Sequence, residues 1–216
     1  MAQSKTKASS EQAIRAMLER RGCPVPYHGV RTRFLGSIAC LDFDLKPMTV
    51  IASLWGGELP EFAGIDDANE LLGALMMGLW NELASHQNPR VPFRAVLVPL
   101  EPTSANLGNF GMVRAQEAEE FVEALFNGAI ETDLPKRAHE AVTYLGEIRA
   151  IMLGVADLIE RTNGEPEDRE EIMQTIKHLR VMTGIMETEI HAAVVSCVGA
   201  RGQGAAGFTA PQATRH

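Results

Sequence analysis

Aromatic residues make up only 6% of this 216-residue chain, against ten methionines and 45% hydrophobic residues overall. The composition therefore favours aliphatic and Met-filled helix packing over strands built from aromatic and β-branched residues. Cysteine is sparse too: Cys23, Cys40 and Cys197 stand far apart, and no CxxC pair exists. An odd count without a signal peptide fits a reducing cytoplasm, the expected location. The opening MAQSKTKASS has no apolar core, so it does not read as a secretory signal, and residues 1–8 read as a flexible lead-in. Long apolar runs are missing. The strongest, LLGALMMGLWN, has 11 residues, well short of the roughly 20 that span a bilayer, so no membrane segment is expected. Positive charge is also in deficit. Residues 1–40 carry seven Lys/Arg against two acids (+5), which leaves the rest of the chain at −13 for a total of −8. An acidic body argues against a broad nucleic-acid surface, which needs many cations. No GxSxG, no Cys–His–Asn spacing and no Gly-rich nucleotide loop is present.

Helix signals fill most of what remains. SSEQAIRAMLERRG opens with a capping-box spacing, Ser9 to Gln12, and carries Ala13, Ile14, Met17 and Leu18 on one stripe. GVRTRFLGSIACL reads as a second short helix. Pro47 suits the first turn of a third, ending near Trp55. A long helix is predicted from about Asp66 to His86, with Leu71, Leu72, Leu75, Met76, Leu79, Trp80 and Leu83 on its apolar side. Gly73 and Gly78 within it imply a closely crossing neighbour. Residues 88–113, broken by four prolines and then Gly108 and Gly111, read as an irregular connecting segment packed on the core. FRAVLV within it has strand character but no second strand to pair with. Helix resumes at about Arg114–Phe126. Residues 135–198 form two long periodic segments around TNGEPED, an antiparallel helical hairpin. Residues 199–216, rich in Gly and Ala, read as a disordered tail. The expectation is an all-α domain over 9–198, with six or seven helices and the short N-terminal ones packed against the long hairpin.

LWGGELPEF, Leu54–Phe62, is the most unusual stretch. A phosphate cradle would want its glycines between a strand and a helix, often with a lysine. Here they follow a helix, no lysine is near, and Glu58 would repel an anion. A helix C-cap at Gly56 or Gly57 followed by a proline-containing link accounts for the same residues, with Trp55 covering the joint.

The wider order RFLGSIACLDFDLKPMTVIASLWGGELPEF, then acids, then LLGALMMGLWNELASH resembles the YecA/YgfB family of uncharacterised bacterial proteins. The likeness is good over about residues 30–86 and weaker to about 130. AEEFVEAL, residues 118–125, resembles a later helix of that family, with Glu117 and Glu120 where it tends to carry Trp and Gly. The resemblance implies an all-helical fold and a bacterial cytoplasm. Many members end in a Cys-rich zinc-binding extension like the SecA tail. This chain has no Cys after Cys197, so neither zinc binding nor SecA-like partner recognition is carried over.

The candidate site residues are Trp55, Gly56, Gly57, Glu58, Trp80, Asn81 and Glu82, read mainly as architecture around one joint. Asn81, placed on the buried side of its helix, is expected to tie that helix to the 88–113 segment; alternatively Asn81 and Glu82 form a polar pocket for a ligand. Asp42 and Asp44 read as caps of the next helix rather than as a cation or acid/base pair. For a metal, His139, Glu187 and His191 are the candidates, and the plainer reading of Glu187 and His191 is a helix-surface pair. The leading functional expectation is a non-enzymatic helical protein that binds another macromolecule, with no cofactor, in a regulatory role. The alternatives are a metal- or small-ligand-dependent enzyme with a site between helices, and a helical oligomerisation module through 135–198.

Overall fold

The computed structural model describes residues 2–99, 101–129, 132–161 and 169–207. Every regular element among them is helical. In chain order these are α1 (Ala2–Arg20), α2 (Tyr27–Ala39), α3 (Pro47–Ser53), α4 (Ile65–Leu72), α5 (Asn81–Ala84), α6 (Ser104–Phe126), α7 (Lys136–Arg161) and α8 (Arg169–Gly207). A π-helical stretch, Gly73–Trp80, joins α4 to α5, and a 3-10 turn, Ser85–Gln87, follows. Counted as one continuous path, 65–87 makes the total seven.

The centre is a stack of helices. Helix α6 packs on α2 to one side and on α7 to the other, and α8 closes against α7, α2 and α6. Helix α2 is buried on every face, from Tyr27, Val30 and Phe34 to His28, Thr32 and Ser37. Two glycines permit the close crossings. A β-carbon at Gly36 of α2 would overlap the Phe121 carbonyl oxygen of α6, and one at Gly111 of α6 would stand 2.5 Å from the Met152 carbonyl oxygen of α7. The hairpin of α7 and α8 is antiparallel: Arg137 near the start of α7 pairs with Glu189 in the later half of α8 at 2.6 Å. TNGEPED lies outside the described residues.

Several boundaries differ from the sequence reading. Helix α1 begins at Ala2, so the lead-in expected to be flexible is helical from there, and Ser9 is an interior position. Nothing in that stretch, free of Gly and Pro, breaks a helix once formed. Helix α6 begins at Ser104, so the irregular segment ends well before residue 113. Thr103 is the N-cap, accepting from the Asn106 amide. The glycines taken as breaks lie inside that helix, Gly111 at its crossing with α7. Helix α8 continues past Val198 to Gly207 through the first part of the expected tail. Arg201 anchors it by donating to the Ile38 carbonyl near the C-terminal end of α2, where the helix dipole favours a cation.

The 65–87 path carries a further correction. Gly73 and Gly78 face open space: a β-carbon added at either would meet no atom within 4 Å, so no helix crosses there. They belong to the π stretch. Leu71, Leu75, Leu79 and Leu83 are all buried, a repeat of four. In an α-helix of 3.6 residues per turn such a series drifts around the axis. The wider π turn offsets that drift and keeps the four leucines on one core-facing line.

Helix α8 also shows that the 11-residue run understates the chain's apolar length. Glu170–Gln203 is long and apolar enough, by length and composition, to cross a bilayer, and 33% of its most apolar window is buried. Here two of its acids are partnered within the bundle: Glu187 pairs with Arg94 and Glu189 with Arg137.

The two kinds of glycine should respond oppositely to a methyl group. Gly111→Ala is expected to cost about 1–3 kcal/mol through overpacking, and Gly78→Ala to be neutral or stabilising by up to ~1 kcal/mol, both read from chemical denaturation.

Candidate functional site

The WGG stretch is a helix terminus. Gly57 N–H donates to the Ala52 carbonyl (3.0 Å) and Gly56 N–H to the Ser53 carbonyl (3.2 Å), with φ of +80° at Gly56 and +107° at Gly57. That is the paired pattern of a Schellman cap, and the left-handed backbone explains the glycines. Trp55 covers the joint as expected, its indole N–H donating to the Arg21 carbonyl at the end of α1 (3.0 Å). Glu58 is exposed. The hub of the joint is a residue the sequence reading passed over. Arg21 donates to the Glu61 carbonyl (3.1 Å), pairs with Asp67 and lies over the Phe62 ring. Asp67 also accepts from the Ala63 amide (2.9 Å), so it ties the link before α4 to that helix while holding Arg21.

The second trio divides. Trp80 packs against Phe34 of α2, with ring centroids 5.3 Å apart. Asn81 is exposed and donates to the Met77 carbonyl of its own helix (3.2 Å). It does not tie the helix to the following segment. The π stretch before it changes the angular register, and Asn81 faces outward. Glu82 faces a small cleft of about 120 Å³ with Tyr27 and Arg31, which Asn81 does not line. Trp55 bonds the end of α1 and Trp80 packs on α2, so the residues read as one joint serve two.

The other candidates are likewise held in structural roles. Asp42 accepts from the Asp44 amide (2.9 Å) and from the Asn127 side chain (3.2 Å) at the end of α6. Neither aspartate caps α3, whose N-cap is Lys46 without a side-chain bond and whose first turn is set by Pro47. His139 is exposed. Glu187 is taken by Arg94 (2.6 Å) and the Ala95 amide (3.0 Å), and His191 approaches the Pro89 carbonyl at 3.4 Å. No group of three or more His, Cys, Asp or Glu able to hold a metal occurs among the described residues. Burial pushes the Cys197 thiol up to about 11 and raises Cys23 and Cys40 from 9.0. At neutral pH these are thiols, not the thiolates that nucleophilic chemistry uses.

The strongest polar cluster is one that the sequence reading missed. The 88–99 segment forms no ladder, and side chains take the place of a partner strand. Arg31 donates to the Arg94 carbonyl (3.1 Å) and His86 Nδ1 meets the Val91 carbonyl (3.0 Å). Around Val96 the satisfaction is complete: its amide donates to Glu117 (3.2 Å) and its carbonyl accepts from Arg114 (2.7 Å). Arg114 and Glu117 pair at 2.5 Å, 4% and 0% exposed. Burial pushes the Glu117 carboxyl above its ordinary range, and Arg114 together with the Val96 amide pulls it back. The available signal was Arg114 itself, which sits in the apolar register of α6 between Phe110 and Ala118. A charge in a core register needs a buried partner.

Another opening lies elsewhere. A cavity of about 690 Å³ separates α2, α3 and the end of α6, lined by Ser37, Leu45, Val50, Val122, Phe126 and Ala129 among others. Arg33 fixes its walls, pairing with Glu120 of α6 (2.5 Å) and donating to the Ser53 carbonyl of α3 (3.3 Å). The Asp42–Asp44 loop leads into it: Leu45 lines it, and Asp42 bonds Asn127, which also lines it. Phe43 on that loop is 72% exposed. Comparisons of the chain with protein families, with curated proteins and with solved structures found no match.

Removing Glu117 strands Arg114 and the Val96 amide in the interior. Glu117→Ala is expected to lower stability by about 3–5 kcal/mol and to speed protease cleavage within 88–99. Unchanged melting and cleavage would reject the clamp.

Proposed function

We propose that the chain is a non-enzymatic, macromolecule-binding helical protein of regulatory type, and that the groove between α2, α3 and the end of α6 takes a peptide segment of a partner protein. The observation that carries this reading is a preformed, largely apolar groove of about 690 Å³, next in sequence to a loop that carries the exposed Phe43. An aromatic left in water beside an apolar cleft is a natural anchor for association. The charge around it selects the partner. Glu123 lines the opening and Asp42 is bonded to Asn127, another lining residue, while Arg33 is neutralised by Glu120. The segment that fits has apolar side chains for the cleft and Lys or Arg at its flanks. The stretch that resembles the YecA/YgfB pattern, residues 30–86, includes the helices α2 and α3 that carry one side of the groove.

Panning a displayed peptide library on the full chain tests this. Enriched peptides are expected to combine apolar and basic residues. Phe43→Ala should weaken them about tenfold, equivalent to ~1.4 kcal/mol, and Glu123→Lys should weaken them further. Both positions are exposed, so melting temperature should hold. Binding indifferent to both substitutions would overturn the reading.

A further inference from the structure

The α2–α3–α6 groove lies toward the end of the bundle at which α8 also runs out. Helices α2 and α6 run in the same direction, His28 meeting Gln116 and Gly36 lying on Phe121 and Ala124, so their C-terminal ends fall together. The groove is lined there by Ser37 of α2 and by Phe126, Asn127 and Ala129 at the end of α6. Helix α8 reaches the same end: Arg201 donates to the carbonyl of Ile38, the neighbour of Ser37. The helix then continues to Gly207, about 9 Å further along its axis. Beyond Gly207 the sequence reads FTAPQATRH, residues 208–216. Extended, that segment spans about 30 Å, enough to pass the end of α2, about 10 Å across, and lie along the groove.

Its composition is the one the groove calls for. Phe208, Ala210, Pro211 and Ala213 are apolar, Arg215 is a cation, and no acid follows Glu189 in the sequence. The groove supplies the complement. Leu45, Val50, Val122 and Phe126 give it apolar walls. Its charged lining residues are Arg33 and Glu123. Arg33 is held by Glu120, whereas Glu123 is exposed and makes no ion pair among the described residues. The exposed Lys46 beside Leu45 is offset by Asp42 and Asp44 of the same loop. We infer that residues 208–216 occupy the groove of their own chain, with Phe208 to Ala213 along the apolar walls and Arg215 at Glu123, and that a partner segment must displace them. The inference rests on the groove being the binding site proposed above, and it adds a regulator to that site. A segment tethered in the same chain acts at about millimolar effective concentration, so weak partners are excluded.

Photo-cross-linking on the full chain places the segment. With p-benzoylphenylalanine substituted for Gln212, irradiation of a dilute solution is expected to give adducts within one chain to residues 45–53 or 122–129, mapped by mass spectrometry. Glu123→Lys should lower their yield about threefold, the scale of one exposed ion pair. Competition gives a second readout. Phe208→Asp should tighten the binding of library-selected peptides about tenfold, as the loss of a millimolar competitor of ~0.1 mM affinity requires. No adduct in the groove, adducts only between chains, a yield indifferent to Glu123→Lys, or peptide affinity unchanged by Phe208→Asp would each overturn the inference. Peptides that still bind the groove when the adducts miss it leave the partner reading intact. Adducts in the groove, with no library peptide binding even the Phe208→Asp chain, would sink the partner reading and keep the segment in its seat.

Discussion

The fold depends on how closely α6 lies between its two neighbours. Gly36 on α2 meets the backbone of α6 at Phe121, and Gly111 on α6 meets the backbone of α7 at Met152. Where two backbones touch there is no room for a side chain, and helices brought that near gain dispersion contacts along their whole crossing. With α2 pressed on α6, its remaining faces are covered by α8 and by the 65–87 path, through Phe34 against Trp80. That is how a 13-residue helix with little amphipathic character comes to be buried all round.

Burying α2 all round and one side of α6 creates a polar problem, which the chain turns to use. Arg31, Arg114 and Glu117 lie in the interior, and each meets backbone of the 88–99 segment. An extended segment beside helices has no ladder to satisfy its amides and carbonyls, and unpaired buried backbone is costly. Side chains projecting from the helices supply those partners and fix the segment's course. The same device recurs at the WGG joint, where Arg21 holds the link after α3, and at the groove, where Arg33 spans three helices. Arginine suits this work because its planar fork reaches a carbonyl and a carboxylate at once.

The polar networks and the candidate binding surfaces divide the molecule. Charged residues that sequence reading would assign to a site, such as Glu187 and Asp42, are occupied in holding the chain together. Apolar surface is left open among the described residues in the α2–α3–α6 groove and at Phe43, Tyr144, Ile151 and Leu158. This distribution is the physical basis for reading the chain as a binder. Its free chemistry is contact area with an acidic rim, and its buried charged groups are engaged.

The sequence alone determined the helical class, the hairpin and the nature of the WGG stretch, because these follow from local rules. A stripe at helical spacing needs a core, and a Gly-Gly pair after a helix ends it in left-handed backbone. Tertiary structure decided what those rules do not reach. Whether a glycine breaks a helix or admits a neighbour depends on what crosses it, so Gly111 was misread as a break and Gly78 as a crossing. Whether Asn81 faces the core depends on a π turn whose need arises only when four leucines must align on a common surface. The burial of Arg114 and Glu117 depends on a segment that arrives from another part of the chain, and a period of 3.6 residues carries no record of it.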